Sequence, residues 1–291
     1  MRVRAFAKIN LSLRVLGTRR DGYHELRTIF QSIALHDTIT IGAARGPFRL
    51  TCADPACPTD DTNLIWRAAA RMWAAAGRRG TPRDIAIEVR KRIPMQAGLG
   101  GGSSDAAATL RALAARWRVA EKKVRAAAAA LGADVPYFLE GGTVLGLERG
   151  DRLFPLIDPP AAWVVLVLPS FGVSTKDAFG WFDRSPERPA LRRVREGRPT
   201  NVARAFQARD LINDLEAPVV ARHPEIGRII SALRRWGASQ AAMSGSGSAV
   251  FGLFSSRPAA LRAASRLASA SRRTLVSRTL NRQRYQTLAA T

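Results

Sequence analysis

The chain has 291 residues, 46% of them hydrophobic and 24% charged, a balance that suits a globular protein with a large core and two domains. The apolar run over residues 163–168 has the length of a buried strand, and no apolar run approaches membrane-spanning length. The net charge of +23 raises nucleic-acid binding, yet only five of the 46 basic residues are Lys, and Arg is spread along the whole chain. With no aromatic–basic or zinc-finger motif, a dedicated nucleic-acid function is not expected.

Met1 leads directly into an alternating pattern, so no targeting segment is expected and the cytoplasm is the expected setting. Residues 3–16 read as a strand, 17–24 as a loop, and the stretch to residue 41 as further strands. Residues 42–62, rich in Gly, Pro and Asp, read as an irregular connection. Cys52 and Cys57 within it have no second pair, so they read as reduced thiols rather than a zinc site. A helix is expected over 63–76, stopped by Gly77, then a strand over 85–89 and a helix running to residue 117. A third helix, 121–131, ends at Gly132 in the usual stop position.

A strand over 142–147 precedes Asp158-Pro-Pro160, where a domain boundary is expected. Residues 163–168 open the second domain, and 183–200, rich in Arg and Pro, read as a surface loop. Helices over 224–236 and 258–270, two strands within 239–254 and a last strand over 274–280 complete the chain. This mixture predicts an α+β fold of two domains, 1–158 and 159–291.

The most informative stretch is Pro94-Met-Gln-Ala-Gly-Leu-Gly-Gly-Gly-Ser-Ser-Asp105. Gly98, Gly100, Gly101 and Gly102 let backbone amides converge on a ligand, and the helix behind them adds partial positive charge. A phosphate chain suits such a place, with Ser103 or Ser104 as helix N-cap. The spacing fits neither G-x-x-x-x-G-K-[ST] nor G-x-G-x-x-G; a plain tight loop is the simpler alternative. Lys8 and Asn10 share a strand face that either meets solvent or positions a hydroxyl and a phosphate. In a chain that nearly always uses Arg for positive charge, Lys8 and Lys91 hint at a need for a compact ammonium. Asp134 is either an N-cap or a general base kept ionised by a nearby Lys. Tyr23 and His24 sit on a turn, as surface packing or as a ring and an imidazole for a base. A second Gly/Ser loop, residues 243–249, is a hairpin turn or another close approach of backbone to phosphate.

Together these stretches resemble the GHMP kinase superfamily of galactose, homoserine, mevalonate and phosphomevalonate kinases. Residues 94–107 look like its phosphate loop and 243–251 like its C-terminal glycine motif. Ala7-Lys-Ile-Asn-Leu-Ser-Leu13 followed by Arg20-Asp-Gly-Tyr-His-Glu-Leu26 is similar to those members that act on a cytidine-diphosphate-linked methylerythritol in the non-mevalonate isoprenoid route. The resemblance implies a two-domain α+β kinase with its active site in the cleft between domains, using ATP and Mg²⁺ to phosphorylate the 2-hydroxyl of that small molecule. It implies Asp134 as base, Lys8 as its charge partner and Asn10 beside them. Tyr23 and Phe179 would take the two faces of the cytosine, His24 would read its edge and Phe30 would wall the pocket. Asn63 and Lys91 would lie near the ATP nucleoside. Pro94, Gly98, Leu99, Gly100, Gly101, Gly102, Ser103 and Ser104 would surround its phosphates, with Ser104 as a magnesium ligand. Gly245 and Gly247 would support the substrate phosphates or the loop. The expected partners are the cytidine diphosphate substrate and ATP, with no specific nucleic acid and no membrane, the protein being a monomer or weak homodimer. The alternatives are a homoserine- or mevalonate-type kinase of the same superfamily, which has no base to stack, or a basic nucleic-acid-binding protein.

Overall fold

The computed structural model describes residues 1–185 and 212–290. In the first half β1 (Arg2–Thr18) and β2 (His24–Pro47) form a long antiparallel pair, followed by β3 (Arg49–Cys52), α1 (Leu64–Ala75) and β4 (Arg83–Arg90). Next come α2 (Gly101–Trp117), α3 (Glu121–Leu131), α4 (Tyr137–Glu140), β5 (Thr143–Glu148) and β6 (Arg152–Pro155). The second half holds β7 (Trp163–Pro169), α5 (Thr175–Asp183), α6 (Glu216–Arg222), α7 (Pro224–Arg235), β8 (Gln240–Met243), β9 (Val250–Phe254), α8 (Arg257–Leu267), β10 (Arg272–Arg278) and α9 (Arg282–Ala290).

The strands form two sheets. In the first, β2 pairs with β1 along one edge and with β5 and β4 along the other, while β6 and β3 extend it outward. The second has the order β10-β7-β9-β8, antiparallel throughout. Helices α1, α2 and α3 cover the first sheet, and α7 and α8 cover the second. Ile9, Leu11, Ile29 and Ile33 of the first sheet meet Val164, Leu166 and Phe251 of the second in one apolar cluster, so the two sheets face each other. The result is a helix–sheet–sheet–helix stack, each sheet burying both faces.

One irregularity in β1 matters for function. Val3 and Ala5 belong to the core beneath the helices, whereas Ala7, Ile9 and Leu11 belong to the core between the sheets. These residues share one parity, yet they face opposite sides. The reversal coincides with a register shift in the pairing with β2 between Phe6 and Lys8, where residues 33–35 of β2 stand opposite Ala7 alone. The reversal turns Lys8 and Asn10 toward the helix side, where α2 begins.

Several expectations need correction. Residues 42–62 are not wholly irregular: β2 continues to Pro47, and β3 pairs in parallel with β4. Neither Ser103 nor Ser104 caps α2. Its N-cap is Gly100 in the left-handed conformation, and both serines lie inside the first turns. Helices α5, α6 and α9 were not anticipated; of these, α9 returns to the first half and packs Tyr285 against Phe6 with ring centroids 5.5 Å apart. The expected Arg/Pro-rich loop falls, over 186–200, outside the described residues.

Candidate active site

Two glycine loops, more than a hundred residues apart in sequence, are pressed together. Gly98 has φ +74°, and a Cβ there would stand 2.1 Å from the carbonyl oxygen of Ser244. No side chain fits that gap. The hydroxyl of Ser244 donates to Gly98 O at 3.1 Å, and Ala249 N donates to Ala97 O at 3.3 Å. Gly245, at φ +57°, brings its backbone over the pair Lys8–Asn10, where a Cβ would lie 3.1 Å from Asn10 Oδ1 and 3.4 Å from Lys8 Nζ. Gly247 faces its own loop, its missing Cβ 2.8 Å from Met243 Sδ. It does not line the cavity described below.

Lys8 is buried, and its ammonium donates to Asn10 Oδ1 at 2.6 Å. Asp134 Oδ2 lies 3.5 Å from the same nitrogen, with its side chain 35% exposed against 5% for Lys8. Asn10 is fixed in turn, its Nδ2 donating to Thr28 Oγ1 at 2.7 Å. Lys8 N also donates to Leu99 O at 3.0 Å, tying β1 to the glycine loop. The ammonium therefore has an amide oxygen and a carboxylate as neighbours, and the partly exposed carboxylate faces it from the cavity side.

Tyr23 stands on the turn before β2, 57% exposed, with the Arg149 guanidinium 5.4 Å from its ring centroid. Phe30 is buried, its ring 4.8 Å from that of Tyr137 and 5.4 Å from Lys8 Nζ. Phe179 is not stacked opposite Tyr23. It stacks on His24, with centroids 4.6 Å apart and planes 23° apart.

Lys91 is held between two carboxylates, 2.5 Å from Asp37 Oδ2 and 2.6 Å from Asp105 Oδ2. Asp37 is fully buried, and its other oxygen accepts from the backbone amides of Arg92 and Ile93. Burial pushes the Asp105 carboxyl up to about 8, with Lys91 pulling it down and Asp37 adding to the rise. Its Oδ1 has no hydrogen-bond partner. Burial works against the Lys91 charge as well, but the two aspartates outweigh it and raise its affinity for the proton. Neither aspartate was anticipated, because no local pattern marks a carboxylate that meets its partner only through the fold.

Two expected ligands are turned elsewhere. Asn63 caps α1, its Oδ1 accepting from Ile65 N at 2.8 Å and its Nδ2 donating to Pro58 O at 2.6 Å. Ser104 is buried and donates its hydroxyl to Phe6 O at 2.7 Å, which takes it out of position as a phosphate or magnesium ligand. Neither lines the cavity.

That cavity measures about 1090 Å³ and runs between the two halves of the chain. Lys8, Asn10, Asp134, Tyr23, His24, Phe30, Lys91, Pro94, Gly98, Leu99, Gly100, Gly101, Gly102, Ser103, Phe179 and Gly245 all reach it. Arg149, Thr28 and Lys176 also line it and were not anticipated. Such a volume is at the upper end for small-molecule sites and has room for two ligands meeting end to end.

Comparison with known proteins gives a consistent picture. The family model of the GHMP kinases N terminal domain matches residues 63–142, and that of the GHMP kinases C terminal matches 188–272. A 4-diphosphocytidyl-2-C-methyl-D-erythritol kinase of Moorella thermoacetica is 44% identical over 287 residues, covering 95% of this chain and 98% of that protein. The kinase of the same name from Solibacter usitatus is 45% identical over 271 residues, 90% of this chain and 83% of the relative. A crystal structure of 4-(cytidine 5′-diphospho)-2C-methyl-D-erythritol kinase superimposes with a TM-score of 0.80 at 35% identity, covering 96% of this chain and 99% of the other. Homoserine kinase from Cytophaga hutchinsonii has the same fold, with a TM-score of 0.69 at 18% identity over 98% and 96% of the two chains.

Proposed function

The chain belongs to the GHMP kinases, and from that premise we infer that it is a 4-diphosphocytidyl-2-C-methyl-D-erythritol kinase, transferring the terminal phosphoryl group of ATP to an alcohol of that substrate. The observation that carries the mechanism is Asp134 held 3.5 Å from buried Lys8 at the mouth of the glycine loop. Asp134 accepts the proton of the substrate 2-hydroxyl as that oxygen bonds to the γ-phosphorus. The bond from the γ-phosphorus to its bridging oxygen breaks, and ADP leaves. Lys8 pairs with the carboxylate and orients it, and Asn10 fixes the ammonium.

Amides of residues 98–103 and the N-terminus of α2 hold the ATP phosphates, with Pro94 and Leu99 shaping the loop and Lys91 beneath it. Mg²⁺ suits oxygen donors, and Ser103 and Asp134, which line the cavity beside the glycine loop, would offer them. Among the described residues no group of three or more His, Cys, Asp or Glu is placed to hold a metal. The ion would therefore be held mainly by ATP itself, as is usual for magnesium. When bound it neutralises charge on the transferring phosphoryl group. Tyr23, His24, Phe30 and Phe179 receive the cytidine end, and Gly245 lets the second loop close over the chemistry.

The proposal extends to a monomer or weak homodimer that acts on small molecules. The division into 1–158 and 159–291 follows the two sheets, with α9 crossing back. Among the described residues no helix is long and apolar enough to cross a membrane, and the use of ATP supports a cytoplasmic setting. The test is a coupled ATP-consumption assay with cytidylated methylerythritol, homoserine and mevalonate as acceptors. Turnover confined to the first is expected; preference for either of the others refutes the assignment.

A further inference from the structure

His24 opens β2 in the first half of the molecule, yet what holds its imidazole comes from α5 in the second. Nε2 lies 2.9 Å from Asp183 Oδ1. The ring stacks on Phe179, and Phe182 meets its edge with centroids 6.4 Å apart and planes at 82°. Phe179 and Asp183 are four residues apart on α5, hence on one helix face. The His24 side chain is only 13% exposed, so its orientation is set by these contacts rather than by solvent.

A carboxylate only accepts, so Nε2 carries the hydrogen in this contact, and in that tautomer Nδ1 is the acceptor. We propose that Asp183 is a positioning residue that fixes the tautomer and ring plane of His24 and thereby sets the preference for cytosine. Cytosine offers an amino donor where uracil offers a carbonyl. An acceptor nitrogen pairs with the first and opposes the second. The proposal rests on the functional reading above and names the residue behind its base specificity. It also gives α5 a purpose: one helix face supplies the stacking ring and the carboxylate that aims the imidazole.

The experiment compares steady-state kinetics of the wild type, Asp183→Ala and Asp183→Asn with ATP, the cytidine substrate and its uridine counterpart. In Asp183→Ala the KM for the cytidine substrate should rise about tenfold, the worth of one charge-assisted hydrogen bond. The KM for ATP should stay within about twofold, and the preference for cytidine over uridine should narrow. Asp183→Asn keeps an oxygen acceptor and should recover most of the loss. Unchanged base preference in Asp183→Ala, or equal rises in both KM values, overturns the inference while leaving the kinase assignment intact. A wild type that does not turn over the cytidine substrate overturns both.

Discussion

Replacing Asp134 by Asn separates chemistry from architecture at this site. The side chain keeps its size and can still hydrogen-bond Lys8, but it can no longer take a proton. A positioned general base contributes about 10²–10⁴ in rate, or roughly 3–5 kcal/mol of transition-state stabilisation. The cost to folding is much smaller. Asp134 is 35% exposed and 3.5 Å from its partner, so solvent screens the pair and its loss costs about 1 kcal/mol at most. For a chain of this size that shifts Tm by about 2–4 °C. Kinetics in the coupled assay should therefore show kcat reduced at least about 100-fold. Calorimetric titration with ATP should give a Kd within about threefold of wild type, because the phosphate-binding amides are untouched. A variant that keeps more than about a tenth of wild-type turnover would show that Asp134 is not the base. One that loses ATP affinity in step with kcat would show that its role is binding or folding.

Four further outcomes follow from the geometry and electrostatics. Tyr23→Ala should raise KM for the cytidine substrate about tenfold with little change for ATP, since stacking is worth about 1–3 kcal/mol per base; equal changes for both would remove the stacking role. Gly98→Ala must push the Ser244 carbonyl aside from 2.1 Å and should lower Tm by roughly 6–12 °C while weakening ATP binding. Gly42→Ala, where a Cβ meets nothing within 4 Å, should move Tm by less than about 2 °C. Asp105, raised by burial to about 8, binds its proton more tightly folded than unfolded, so its contribution to stability is fully present below about pH 4 and is lost as pH rises through 8. Asp105→Asn should remove that part of the decline in Tm between pH 5 and pH 8.5, and an unchanged slope would assign it to other groups.

Most helices and strands were legible because each has a local cause. α3 occupies the expected residues, 121–131, with Gly132 at its C-terminal cap, and α1 starts at Asn63, whose side chain accepts from the first turn. The glycine loop was legible for a similar reason, since four glycines at the start of a helix have few structural uses. The errors arose where tertiary contact overrode a local rule. Ser104 looks like a cap but is drawn into the interior by Phe6 O. Asn63 looks like a ligand but spends both ends of its amide on the turn before α1. Residues 49–52 have little strand pattern of their own and become a strand by pairing with β4.

The two lysines show how composition can carry information that motifs do not. Five lysines stand among 46 basic residues; Lys122, Lys123 and Lys176 are exposed, whereas Lys8 and Lys91 are enclosed by carboxylates and an amide. A planar guanidinium needs room for a five-donor fork, while an ammonium concentrates its charge at one point. At Lys8 that point lies 3.4 Å from where a Gly245 Cβ would stand, and at Lys91 it lies equally close to where a Cβ of Gly101 would stand. Glycine on one side and lysine on the other are thus parts of one solution. On the proposed reading, backbone approaches a buried cation closely enough to leave a phosphate within its reach, and neither a side chain on the loop nor a larger cation leaves the space.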